Sequence, residues 1–359
     1  MSEDARSQPQ VALVRRWRRE ISGQAIFERE LERSLALARP DFVRTLEVGG
    51  TRSQADVRLP GAIQRRLPFR LRRAAGAMVF RSPLIHRLDL GLPPTKGEVL
   101  TVHDLAPLHY PDEGTLPRDA RRSIRDAEVV ITGSAFTAAE IRDFADRPDV
   151  RVVPHGVDEG FFAAPQHPAS EAAAPPVNGP YVLHAGGTSQ RKNLDRLVQA
   201  WPAVLAERRD LRLVMVGPPS AHRSSLDGRS IEYLGPLERP ALIALMRDAE
   251  AVVVPSLYEG FGLPVLEALA CGVPVVSSNA ASLPEVAGGA AILCEPTADG
   301  LAEGLVRSVR GGDDVADLVR RGLERARTFS WARAASEHLD IYDSVLEARW
   351  PTRDGDGHR

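Results

Sequence analysis

The stretch 255-PSLYEGFGLPVLEALACGVPVV places two carboxylates around a glycine-rich turn. A strand is expected to end at Ser256 and a helix to begin near Pro264, since proline lacks the N–H that a first helical turn leaves unpaired. Between them, Gly260 and Gly262 let the backbone approach a ligand closely. The amides at the helix start, with the positive dipole end, favour phosphate. Glu259 lies in the loop, and Glu267 lies eight residues on, one turn into the helix. A carboxylate beside bound phosphate needs another partner. Sugar hydroxyls suit it, because a carboxylate accepts two of them at once. The arrangement points to a nucleotide sugar, with the ribose on Glu267 and the transferred sugar on Glu259. The simpler alternative is a helix start whose acidic residues only complement the dipole.

A second stretch, 181-YVLHAGGTSQRKNLDRLV, ends a strand in Gly186-Gly187 and sets Arg191-Lys192-Asn193 before a helix. Arginine grips phosphate bidentately and lysine supplies a compact charge. Adjacent cations at such a junction would neutralise a diphosphate leaving group. A solvated charge pair is the alternative. Of the 46 basic residues only Lys96 and Lys192 are lysines, so one of the two falls beside a glycine turn. The order Gly-x4-Gly-Lys-Ser/Thr of a Walker loop is missing.

Other chemistries find little support. Asp354-Gly-Asp356, near the chain end, is the one Asp-x-Asp, and no His/Cys cluster has ligand spacing, so no metal site is expected. There is no Gly-x-Ser-x-Gly elbow and no Gly-x-Gly-x-x-Gly after a strand. Cys271 and Cys294 are the only cysteines, which excludes a disulfide scaffold and fits a reducing cytoplasm. MSEDARSQPQ has no apolar stretch with a cleavage site, so secretion is not expected.

The elements that position these residues follow from periodicity. The chain has 359 residues, 43% hydrophobic and 26% charged, which implies two globular domains and excludes general disorder. No apolar run reaches the ~18 residues of a membrane span. Strand-like runs in the first half are 11-VALV, 77-AMVF, 98-EVLTV, 128-EVVIT and 150-VRVVP. A helix is expected at 24-QAIFERELERSLALA, with Ile26, Leu31, Leu35 and Ala38 inward. In the second half, strand-like runs at 181, 211, 231, 251, 273 and 290 alternate with helix-like runs. Continuous apolar strands between helices mean parallel sheets covered on both faces. The expected fold is α/β: two doubly wound, Rossmann-like domains facing across a cleft, with ligands at the carboxyl ends of the strands. The boundaries are 1–163 for the first domain and 164–179 for an Ala/Pro-rich linker. The nucleotide-sugar domain follows at 180–330, then a helix at 331–350 crossing back to the first domain. A disordered tail is expected at 351–359.

The two signature stretches resemble those of the retaining, GT-B-fold glycosyltransferases of family 4, the group 1 glycosyl transferases. That family carries Glu-x-Phe-Gly-x-x-x-x-Glu, here Glu259 to Glu267, and an Arg-Lys-Asn motif, here Arg191-Lys192-Asn193. Further matches are 101-TVHDLAPLHYPD, 132-TGSAFTAAEI, 152-VVPHGVDEGFF and 282-SLPEVAGGAAILCEP. The resemblance covers roughly residues 98–345 and thins out before residue 77. It implies that Arg191 and Lys192 hold the donor diphosphate, with Gly187 in the adjoining turn. It assigns Glu267 to the ribose and Glu259 to the sugar, with the amides of Phe261, Gly262 and Leu263 on sugar and phosphate. His103 would line the sugar site from the other domain, followed by Asp104, and Gly23 would serve the acceptor side. The implied reaction retains configuration and needs no metal or other cofactor. The leaving phosphate itself helps deprotonate the acceptor hydroxyl on the same face. GDP-mannose and UDP-hexoses are the leading donors, and a glycan or lipid-linked precursor the acceptor. Two departures stand out: no Gly-rich loop follows the first strand, and His155 precedes Gly156 where the family has Asn. A nucleotide-sugar epimerase of the same fold and a catalytically silent GT-B binding subunit are the competing readings.

The net charge of −2 argues against nucleic-acid binding, yet residues 1–80 hold 16 Arg against 9 acids. Arg15, Arg16, Arg18 and Arg19 surround Trp17, and Arg65, Arg66, Arg70, Arg72 and Arg73 interleave with Ile63, Leu67, Phe69 and Leu71. This asymmetry suits peripheral contact with anionic lipid on the inner face of the membrane. A solvated basic face on a cytoplasmic protein is the alternative.

Overall fold

The computed structural model describes residues 9–18, 22–61, 63, 67–162, 177, 179–220 and 230–350. The first sheet has the order β3-β2-β1-β4-β5-β6-β7. Its strands are β1 (Val11–Arg16), β2 (Val43–Gly49), β3 (Val57–Arg58), β4 (Leu84–Arg87), β5 (Val99–Thr101), β6 (Val129–Thr132) and β7 (Val150–Val152). The second has the order β10-β9-β8-β11-β12-β13. It comprises β8 (Tyr181–Ala185), β9 (Arg212–Val216), β10 (Ile231–Gly235), β11 (Ala251–Val254), β12 (Val275–Ser278) and β13 (Ile292–Cys294). Every pairing between strands is parallel.

Helices α1 (Gly23–Ala38), α2 (Phe69–Val79), α3 (Ala120–Asp126) and α4 (Ala135–Ala145) accompany the first sheet. The second has α5 (Leu194–Glu207), α6 (Arg239–Arg247), α7 (Leu263–Cys271), α8 (Leu283–Ala287), α9 (Ala298–Arg310) and α10 (Asp313–Ala326), and α11 (Trp331–Arg349) closes the chain. The apolar strand runs are explained by two-sided burial. Val11 and Leu13 join the core with Phe27, Leu31 and Leu35, whereas Ala12 and Val14 pack with Val48, Phe80 and Leu92 on the other face. In the second sheet Leu183 and Val252 face one core, and Val182 and Val253 the other. Successive side chains point to opposite faces, so a stretch covered on both faces reads as a continuous apolar run, as at Val11–Val14 and Ala251–Val254.

Three sequence expectations are corrected. The run 77-AMVF is not a strand: α2 continues to Val79, and the strand is 84-LIHR. Four apolar residues fit either structure. Meanwhile β4 was hidden by His86 and Arg87, both fully buried. His86 pairs with Tyr342 and Thr101, and Arg87 with Glu98 and Ser123. On α1 Leu31 and Leu35 are buried as expected, but Phe27, at 1% exposure, takes the inward place of Ile26, which is half-buried, and Ala38 is exposed. Arg72 does not face a membrane. It is 2% exposed, pairs with Asp119 and donates to the carbonyls of Gly91 and Leu92.

The N-terminal arginines are also committed. Arg15 pairs with Glu32 and Glu47, Arg16 with Asp89, and Arg18 with Glu28 and Asp89, all at 2.7–3.0 Å. Arg19, Arg65 and Arg66 lie outside the described residues, as do most of the linker at 164–179 and the tail at 351–359.

The chain passes between the domains at two adjacent points, where Val157 bridges Ser330 in parallel. A Cβ on Gly156 would lie 2.2 Å from the Trp331 nitrogen, so the two crossings touch. Helix α11 then packs on the first domain, burying Trp331, Ala334, Ala335, Tyr342 and Val345 against the core that holds Phe27.

Candidate active site

In each sheet the strand order reverses beside the first strand, at β1/β4 and at β8/β11. A crevice opens at such a point, beyond the carboxyl ends of the strands. The loops after β8 and β11 carry Arg191, Lys192 and Glu259, and the loop after β5 carries His103.

Arg191 and Lys192 occupy one 3-10 turn, Gln190–Lys192. Asn193 follows at φ 58, a left-handed conformation that asparagine tolerates better than most residues. Its side-chain amide donates to the carbonyls of Pro255 at 3.0 Å and Pro296 at 2.9 Å, while the Leu257 N–H donates to the Arg191 carbonyl at 2.7 Å. The Asn193 side chain thus ties the cationic turn to the loop after β11. No sequence signal separated its part from that of Arg191 and Lys192.

Glu259 receives Lys192 Nζ at 2.6 Å on Oε1 and Arg191 Nη1 at 2.9 Å on Oε2, and the Ser256 hydroxyl donates to Oε1 at 2.7 Å. Arg191 also pairs with Glu113 of the first domain. Burial opposes the Glu259 charge, but Lys192 and Arg191 prevail and hold its pKa at about 2. Glu259, Glu113 and Asp104 outweigh desolvation at Arg191 and raise its pKa.

Glu267 is 7% exposed, and Arg239 Nη2 lies 3.9 Å from its Oε1. Burial pushes its pKa up to about 7, against the pull of Arg239. Arg239 is in turn held by Asp158 at 3.0 Å. Gly262 adopts φ +108, a region open to glycine. The amides of Phe261, Gly262 and Leu263 meet no partner among the described residues. A Cβ on Gly187 would find only Lys192 Cε, at 3.9 Å.

Across the crevice, the His103 ring stands edge-on to Phe27 at 4.9 Å. Its Nε2 is buried without a partner among the described residues, and burial, then the Arg18 charge, lowers its pKa to about 4. Asp104 accepts from the Ala106 N–H at 3.1 Å, and burial raises its pKa. Gly23 opens α1, is exposed and, among the described residues, has nothing within 4 Å of a Cβ position. What α1 brings to His103 is Phe27. His155 lies between the domains, 4.5 Å from the Phe27 ring and 4.4 Å from the Phe261 ring.

Polar groups inside the quoted stretches, to which the sequence assigned no role, hold the domains together. The Leu105 N–H donates to Tyr258 Oη at 3.0 Å, and Tyr258 Oη donates to Glu140 at 2.5 Å. The Gln190 N–H donates to Asp112 at 2.7 Å. Glu285 accepts the N–H groups of Ala135 at 2.8 Å and Phe136 at 3.3 Å, so it caps the positive end of α4 from the other domain. The Ser134 and Thr137 hydroxyls both donate to the Gly260 carbonyl. Among the described residues, no group of three or more His, Cys, Asp or Glu is arranged to hold a metal, and no helix is long and apolar enough to cross a membrane.

Two facing Rossmann-like domains with a cation-lined crevice define the GT-B class of fold. Sucrose-phosphate synthase from Thermosynechococcus elongatus shares it, with a TM-score of 0.75 at 22% identity over 95% of this chain and 100% of that one. Residues 179–310 match the family described as Glycosyl transferases group 1. O-antigen chain mannosyltransferase B of Escherichia coli is 28% identical over 72% of this chain and 71% of its own length. D-inositol 3-phosphate glycosyltransferase of Acidothermus cellulolyticus is 30% identical over 70% of this chain and 62% of its own. The chain thus spans less than two thirds of the second relative. The names of these relatives support a transferase enzyme.

Proposed function

We propose that the protein is a retaining, metal-independent glycosyltransferase. It moves a mannose- or glucose-type hexose from a nucleotide-diphosphate sugar to a hydroxyl of a lipid-linked or polysaccharide precursor. The observation that carries this reading is the meeting of Arg191, Lys192 and Glu259 beside the start of α7, where the amides of Phe261, Gly262 and Leu263 meet no partner among the described residues. A diphosphate there is held by two cations and a helix dipole. As it binds, Arg191 and Lys192 are shared with it, and the Glu259 carboxylate turns to the sugar hydroxyls. His103 lines the sugar site opposite. The departing phosphate takes up the acceptor proton on the face it leaves. A mannosyltransferase and an inositol-phosphate glycosyltransferase among the relatives support a hexosyl donor and a hydroxyl acceptor.

The test is a thermal-shift panel of GDP, UDP, ADP and their sugars, followed by release of nucleoside diphosphate with candidate acceptors. Release that depends on acceptor and survives chelator is expected. Interconversion of sugars without acceptor would instead mean an epimerase, and binding without turnover a silent subunit.

Glu267 should hold the ribose as a carboxylate, so Glu267→Ala is expected to weaken nucleotide binding more than about tenfold, each charge-assisted bond contributing about 1.5–3 kcal/mol. The raised pKa sets a sign. With a pKa of about 7, the ionised acceptor is lost as pH falls. Wild-type nucleotide affinity should drop about tenfold from pH 8 to pH 6, and that pH dependence should vanish in Glu267→Gln. Calorimetry on both proteins checks this, and a flat wild-type profile would remove Glu267 from the ribose site.

Membrane contact is proposed through α2, on the inner face of the cytoplasmic membrane. Its exposed Leu71 and Met78 stand with Arg70 and Arg73 on a helix without acidic residues. Each basic residue near anionic lipid contributes about 1 kcal/mol. Pelleting with anionic vesicles at low salt is expected, and little with neutral vesicles or at high salt. Equal pelleting with both lipids, or none with either, points to a soluble acceptor.

A further inference from the structure

The donor loop has three consecutive carbonyls, and all of them are held. Ser282 Oγ lies 2.8 Å from the Glu259 oxygen and 2.7 Å from the Phe261 oxygen, sharing its single hydrogen between them. The Gly260 oxygen, between those two, is held from the opposite domain. Ser134 Oγ donates to it at 2.6 Å and Thr137 Oγ1 at 3.0 Å, filling both lone pairs. Ser134 and Thr137 are fully buried, and Ser282 is too. A peptide unit is planar, so fixing a carbonyl fixes the N–H of the next residue. Holding the oxygens of Glu259, Gly260 and Phe261 therefore orients the amides of Gly260, Phe261 and Gly262. Two of these, the amides of Phe261 and Gly262, meet no partner among the described residues and are free for the donor. The middle carbonyl is the one that the second domain cannot hold by itself.

We propose that Ser134 and Thr137 are positioning residues for the donor loop: closure of the first domain onto Gly260 completes the donor site. This rests on the glycosyltransferase reading for its kinetic consequence and on the hydrogen bonds alone for its structural one. Binding energy from the acceptor side is thereby coupled to the geometry of the leaving group. Preorganised amides count in the transition state, where charge develops, more than in the ground state.

Thr137→Val removes one hydroxyl at nearly constant volume, and Thr137→Ser keeps it. Ser134→Ala also removes the N-cap of α4, where Ser134 accepts the Thr137 N–H at 3.1 Å, so it serves as the second variant. Thr137→Val is expected to lower kcat about tenfold with the donor KM changed less than about twofold, and Thr137→Ser to restore kcat to within about twofold. Adding Ser134→Ala should lower kcat further and raise the radius of gyration in small-angle scattering as the clasp opens. A Thr137→Val enzyme that melts earlier but keeps its kcat would mean that the hydroxyl is only a packing feature, and would overturn the proposal. An unchanged scattering profile in the double variant would overturn it whether or not the wild type turns over a nucleotide sugar. A wild type without turnover whose double variant still opens would overturn the glycosyltransferase reading and leave the clasp standing.

Discussion

Lys192→Ala should lower kcat by about 10²–10³, the loss expected when one donor to a developing oxyanion is removed. The reason lies in the environment of Nζ, 2.6 Å from a Glu259 carboxylate that is buried and held at about 2. A charge in such a site is screened far less than one in water. The leaving diphosphate gains charge as the sugar departs, so the lysine acts more on the transition state than on the bound donor. The donor KM should therefore rise by a smaller factor than kcat falls. Arg191 cannot replace it, since its guanidinium is shared among Glu259, Glu113 and the Tyr258 carbonyl. Steady-state kinetics with saturating acceptor checks this, alongside a melting curve to confirm that the variant folds. A near-normal kcat would reduce Arg191-Lys192 to a structural pair for Glu259.

Gly260→Ala should cost about 10² in kcat/KM while leaving nucleotide binding within a few-fold. A Cβ at this position would lie 2.2 Å from the His103 carbonyl oxygen and 2.8 Å from Asp104 Cβ. The first of these is backbone and cannot turn aside, so the domains must separate by about an ångström. A displacement of that size is enough to cost about 10² when it moves reacting groups apart. Nucleotide contacts proposed within the second domain, at Glu267 and Lys192, are not displaced by it. Titration calorimetry and kinetics on the same preparation separate the two effects. Full activity in Gly260→Ala would show that the close approach of 103–104 to 260 is not part of the working enzyme.

The donor loop was legible because its chemistry is local. Glycine at 260 and 262, proline at 264 and carboxylates at 259 and 267 announce a close-approach turn, a helix start and acceptors of hydroxyl groups, whatever surrounds them. The alternation of apolar runs with helices was legible for the same reason: both faces of a parallel strand need covering, and that writes itself into consecutive residues. Strand β4 was not legible. His86 and Arg87 are tolerable in a core only because Tyr342, Thr101, Glu98 and Ser123 satisfy them. Tyr342 lies 256 residues further along the chain and Ser123 36.

Charge misled for a related reason. Arg70, Arg72 and Arg73 look alike in sequence, yet helical periodicity turns Arg72 inward to Asp119 and leaves Arg70 exposed. The same limit governs the crevice. The residue types of Arg191, Lys192, Glu259 and Glu267, and the two-domain parallel fold that carries them, were determined by the sequence alone. That Glu259 pairs with both cations, that Glu113 and Glu285 reach across the cleft, and that Ser134 and Thr137 grip Gly260 was decided only by the tertiary structure. Hydroxyls and carboxylates carry no periodic signature, and their role depends on whichever groups folding brings within hydrogen-bond reach.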